Sequence, residues 1–132
     1  YLVRPKKHTP YGFGGLNKDE LKIAFSQRIA LDELDKIASL WDYYKDGNLQ
    51  QLKHTASSLK QDYPFILNAI EAHIERIPTD TSPGRPTEAL IEIIDELGTS
   101  DFAPVFREFN KRECIYGYGD LQVKRIFDEI TK

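Results

Sequence analysis

Leu90-Ile-Glu-Ile-Ile-Asp-Glu-Leu97, then Gly98-Thr-Ser-Asp101, then Phe102-Ala-Pro-Val-Phe-Arg-Glu-Phe109, is the stretch that decides the fold. Leu90, Ile93, Ile94 and Leu97 recur at the spacing of one helix face. Gly98 supplies a residue that tolerates a left-handed helix end, and Thr99 or Ser100 is the expected N-cap of a second helix. Phe102, Val105, Phe106 and Phe109 repeat the pattern. Pro104 falls in the first turn, where its missing N–H costs no helical hydrogen bond.

The same grammar extends in both directions. Downstream, Tyr116-Gly-Tyr-Gly119 breaks the chain, and Val123, Ile126, Phe127 and Ile130 mark a last helix. Upstream, Asn17 with Glu20 three residues later forms a capping-box pattern ahead of Leu21, Ala24 and Phe25. A helix over about Asp32 to Lys45 offers Leu34, Ile37, Ala38 and Trp41 as its inward face, and Gly47 ends it. Asn48 opens a third helix with Leu49, Leu52, Ala56 and Leu59 inward. Pro64 suits the first turn of a fourth, whose wide stripe runs Phe65, Ile66, Ala69, Ile70, Ile74 and Ile77 until Pro78.

These patterns predict an all-α fold of about seven helices. The last three are arranged like a helix-turn-helix, and Cys114–Tyr118 is read as a rudimentary wing. The Thr-Asp-Thr-Ser-Pro-Gly-Arg-Pro run at Thr79–Pro86 reads as the boundary between a 1–78 region and a 79–132 region within one compact unit.

The 132 residues suit one domain or two small subdomains. With 40% hydrophobic and 30% charged residues the composition is globular. No apolar run approaches the ~20 residues of a membrane span. Net charge is −3 and the pI is about 5.6, which opposes a broad basic surface. One cysteine, Cys114, cannot close an internal disulfide, so a reducing, cytoplasmic setting is expected. The chain lacks methionine and opens on Tyr1-Leu-Val, which reads like the inside of a strand, so either an artificial start or a missing upstream region is expected.

Two candidate binding sites emerge. Arg107, Asn110, Lys111 and Arg112 lie on the outer face of the second helix of the helix-turn-helix-like pair, and Arg and Asn are the types that read guanine and adenine edges. Yet Arg85 to Lys132 holds seven basic and ten acidic residues, a poor balance for neutralising phosphates. The second site is an anion loop. Arg4, Lys6, Lys7 and His8 precede Gly14 and Gly15, which feed a helix N-terminus favourable to anions. It matches neither a P-loop nor a dinucleotide fingerprint.

Other chemistry-bearing residues read as structural. His73 falls between Ile70 and Ile77 as a buried, hydrogen-bonded histidine, and His54 reads as surface. Cys114 reads as a partly buried thiol. Asp120 reads as a helix-start residue, and Asp32, Glu33 and Asp35 as first-turn acids. Tyr43, Tyr44, Tyr116 and Tyr118 read as half-buried packing or a contact surface. No catalytic residue, metal site or cofactor is expected.

Several short segments stand in a telling order: Tyr11-Gly-Phe-Gly-Gly-Leu16, the capped helix, Trp41, Tyr63-Pro-Phe-Ile-Leu67 leading to His73, Gly84-Arg-Pro-Thr-Glu88, and Tyr118-Gly-Asp-Leu121. Together they resemble the C-terminal part of bacterial proteins of domain-of-unknown-function family 1835, with companion domain-of-unknown-function family 3658. The resemblance covers most of the chain. It implies helical architecture and a preceding N-terminal domain, and it supplies no catalytic residues. The expectation is a non-catalytic binding or regulatory module of a larger bacterial protein. Its partner would be that N-terminal domain or another protein. The alternatives are nucleic-acid binding through Arg107–Arg112, and part of an enzyme whose anion loop is 4–15.

Overall fold

A computed structural model describes residues 1–5 and 12–132. Among these the chain is all-α, with seven α-helices. A 3-10 turn at Gly12–Gly15 leads into α1 (Lys18–Ser26), followed by α2 (Leu34–Lys45), α3 (Leu49–Ser58), α4 (Pro64–Glu75), α5 (Arg85–Leu97), α6 (Phe102–Arg112) and α7 (Asp120–Ile130). The single β-type pairing described is a bridge in which Leu2 and Ile29 exchange backbone hydrogen bonds of 2.8 and 3.0 Å.

The helix ends follow local chemistry. The Asn17 side chain accepts from the N–H groups of Asp19 and Glu20, and Glu20 reaches back to the Asn17 N–H at 2.7 Å, completing the capping box. Asn48 caps α3 through the Gln51 N–H. Gly98 ends α5 at φ 59°. The cap of α6 is Asp101, which accepts from the Ala103 N–H, rather than Thr99 or Ser100. Thr99 instead accepts from the Asp101 N–H and shapes the turn that aims the cap.

The chain forms two compact units, Tyr1–Glu71 and Ala72–Lys132. The first is built on Leu40, Leu52, Ala56, Leu59 and Tyr63, with Ile37, Tyr43 and Ile66 among the partly buried residues packed against them. The Tyr63 hydroxyl accepts from the Asp32 N–H at 2.9 Å and donates to the Ala30 carbonyl at 3.3 Å. That pins the segment entering α2 and satisfies a polar group in an apolar core. The second unit is built on Ala89, Leu90, Ile93, Val105, Phe109, Val123 and Phe127, drawn from α5, α6 and α7.

Three further sequence expectations are corrected. In α2 the buried ridge is Ile37, Leu40 and Tyr43, so of the stripe Leu34, Ile37, Ala38 and Trp41 only Ile37 faces inward. The helix is apolar around much of its girth, and periodicity alone does not choose between the two phases. In α1 only Ala24 is buried, while Leu21 and Phe25 are exposed beside Ile23. The expected wing does not form: Cys114–Tyr116 is a 3-10 turn closed by Gly117 at φ 60°.

The division between the two compact units falls inside α4, seven residues before the Pro-Gly-rich loop. The loop is fastened to the second unit. Ser82 Oγ donates to Glu88 at 2.7 Å and accepts from the Gly84 N–H at 3.0 Å. The Tyr116 hydroxyl donates to the Ala72 carbonyl at 3.0 Å, tying in the last turn of α4.

Candidate functional site

On α6, the four residues expected to read nucleic acid diverge in their surroundings. Arg112 grips both carboxylate oxygens of Glu96, at 3.1 and 2.5 Å, while its Nε donates to Glu108 at 3.0 Å. Lys111 Nζ donates to the other oxygen of Glu108, also at 3.0 Å. Bidentate pairing of this kind satisfies the guanidinium fork. Arg107 is exposed with no ion pair among the described residues, and Asn110 is half-buried. Within the second unit eight basic residues face twelve acidic ones. Two of the four side chains are thus spoken for by carboxylates, and a phosphate would compete with Glu96 and Glu108 for them.

These pairs give a testable electrostatic signature. Hydrogen bonding from Arg112 holds the Glu96 carboxyl below the usual carboxylate range. Lys111 and then Arg112 do the same for Glu108. Carboxyl carbon NMR titration should find both midpoints depressed. In Arg112→Ala the Glu96 midpoint should return to the ordinary range, while Glu108, still held by Lys111, returns only in part. Equal recovery of both would contradict the geometry. A depressed carboxylate stabilises the fold above the unfolded-state value of about 4.3, and that contribution is lost as pH falls through the folded midpoint.

The expected anion loop is placed only in part, since Lys6, Lys7 and His8 lie outside the described residues. Arg4 is directed elsewhere: its guanidinium carbon sits 3.6 Å from the centre of the Phe65 ring, a cation–π contact within the first unit. Gly14 and Gly15 are exposed in the 3-10 turn. Beyond them the first-turn N–H groups of Asp19 and Glu20 are already taken by Asn17. Those two acids add negative charge where an anion would dock.

A cluster that sequence reasoning missed lies in the second unit. Arg85, the first residue of α5, donates to Glu75 at 2.7 Å. Its Nε lies 2.9 Å from Glu113 Oε2, in an ion pair whose N–H is misaligned for a hydrogen bond. The Glu113 side chain is only 10% exposed and the Arg85 side chain 38%. The Tyr116 ring lies beneath the guanidinium, 5.7 Å from its carbon. Burial pushes the Tyr116 phenol up, opposed by Arg85. Hydrogen bonding to Glu75 raises Arg85 further. Every charged member here has a protein counter-charge, so the cluster reads as a fastening between α5 and the α6–α7 connection.

His73 is half-buried, and its Nδ1 accepts from Arg76 Nε at 3.1 Å. Burial and then the Arg76 charge lower its pKa, favouring the neutral imidazole. Cys114 is half-buried and reduced. No group of three or more His, Cys, Asp or Glu side chains able to hold a metal occurs among the described residues. No helix among them is long and apolar enough to cross a membrane.

The outward faces of α1 and α2 carry the remaining feature. Leu34 is 59% and Trp41 61% exposed, with Tyr44 stacked on Trp41 at a ring separation of 5.6 Å. Ile23 and Phe25 project from α1 with similar exposure. Scattered exposed apolar residues are ordinary, but a run along one helix with an aromatic pair resembles the anchors of protein interfaces. Comparison with models of protein families, with curated proteins and with solved structures finds no match.

Proposed function

We propose that the chain is a non-catalytic protein-binding module of a larger bacterial protein. The observation that carries this reading is the outward apolar run Leu34, Trp41 and Tyr44 on α2. The chemistry-bearing side chains of the second unit support it from the other direction. Arg85, Glu75, Glu113, Arg112, Glu96 and Glu108 are engaged with one another, leaving little free for substrate.

The test places a photo-cross-linking amino acid at position 41 in living cells, with exposed position 107 as the control. Adducts to one identified polypeptide from position 41, absent from position 107 and suppressed by Leu34→Lys, are the expected result. In parallel, the anisotropy of labelled duplex DNA is followed at two salt concentrations. The module reading expects no binding. Salt-sensitive binding lost in Arg107/Lys111/Arg112→Ala would replace it with the nucleic-acid reading.

A further inference from the structure

The α2 face supplies its own complement. Leu34, Ala38, Trp41 and Lys45 lie along one line of the helix, at intervals of four, three and four residues. All four are exposed. The spacing is the same in either direction, so a second α2 laid antiparallel in this register places Leu34 opposite Lys45 and Ala38 opposite Trp41, twice over. Large meets small at the centre, where an alanine lets a neighbouring indole lie close to the backbone. At each end a leucine covers the apolar stem of a lysine.

The flanking charges fit the same arrangement. Asp35, in the first turn of α2, is exposed and makes no ion pair among the described residues. Lys45, in the last turn, is paired only with Asp42 on its own helix, at 3.0 Å, with its side chain half exposed. Antiparallel pairing brings Lys45 of one copy within reach of Asp35 of the other, and it opposes the helix dipoles, each N-terminus lying beside the other copy's C-terminus. A two-fold contact requires that residue i meet j wherever j meets i, and this stripe satisfies that condition in its spacing and in the Lys45–Asp35 pair, with Lys45 shared between Asp42 of its own helix and Asp35 of the other.

We propose that α2 pairs antiparallel with α2 of a second copy of this chain about a two-fold axis passing between Ala38 and Trp41, Trp41 of each copy packing over Ala38 of the other. This rests on the protein-binding reading and names the partner at that face. A seam of four positions per copy is far smaller than a standard specific interface, so the dimer is weak, with a Kd on the order of 100 μM.

Sedimentation equilibrium of the chain from about 1 to about 500 μM tests it, spanning the affinity expected of so small a seam. The expected result is a monomer–dimer equilibrium that Ala38→Lys weakens by about tenfold or more. Asp35→Lys and Lys45→Glu should each weaken it singly, and the double exchange should restore it. Ala38 is exposed, so an unchanged thermal melt of Ala38→Lys shows that the fold is intact. A monomer at every concentration, or a dimer indifferent to Ala38→Lys, overturns the pairing. A monomer whose position 41 still cross-links to a different polypeptide overturns self-pairing alone. A monomer with no adduct at all overturns the module reading as well.

Discussion

Gly84→Ala should be among the most damaging single methyl additions to this chain, costing about 3 kcal/mol. Two independent effects combine. The residue sits at φ 91°, a conformation that side chains oppose. A Cβ built there would lie 2.6 Å from the Arg76 carbonyl oxygen and 3.0 Å from its carbon, and both atoms belong to backbone. Neither is the end of a flexible side chain that rotates away. For a unit of this size the loss corresponds to a Tm lower by about 15 °C. Gly98→Ala is the reference, with positive φ in the milder left-handed helical region and nothing within 4 Å of the added carbon. It should cost only about 1 kcal/mol. Equal losses at the two positions would show that neither the close approach to Arg76 nor the extended positive-φ backbone adds a cost at residue 84.

Arg85→Ala should cost about 2 kcal/mol, less than the 3–5 typical of breaking a fully buried pair, because the guanidinium is partly solvated. The damage comes from what remains. Glu113 keeps a charge in a site that is 90% closed, without the cation that compensated it. Adding Glu113→Gln to Arg85→Ala should therefore recover at least half of the loss, although the second change also removes native chemistry. Denaturant melts of the four chains in a double-mutant cycle measure this coupling directly. Simple additivity would mean that the ion pair contributes nothing beyond its separate parts. Glu75→Gln is a gentler probe, since that carboxylate is half exposed and water can replace it.

Features encoded within four or five residues are legible in the sequence itself. Asn17 with Glu20 and Asn48 mark helix ends through contacts made inside the same turn, and Pro64 and Gly98 mark theirs through their own backbone. The seven helices follow from those marks and from apolar spacing. The phase of α2 does not, because Leu34, Ile37, Leu40, Trp41, Tyr43 and Tyr44 wrap most of its circumference. Only packing against α3 selects Leu40 over Trp41. The candidate sites are harder still. Arg112 looks free in sequence, yet its principal partner, Glu96, is sixteen residues away. Glu113 lies twenty-eight residues from Arg85, and nothing local announces that the two meet. The glycine at 84 resembles any loop glycine until the carbonyl of Arg76 is seen against it.

The exposed position of Trp41 has a spectroscopic consequence. It is the only indole in the chain, and it stands outside both cores. Its emission should begin red-shifted and change little as those cores melt, so tryptophan fluorescence makes a poor folding probe for this chain. A partner landing on α2 would strip water from the ring and shift that emission to the blue. The one indole of this protein is a poor witness to unfolding and would be a sensitive one to anything that covered α2.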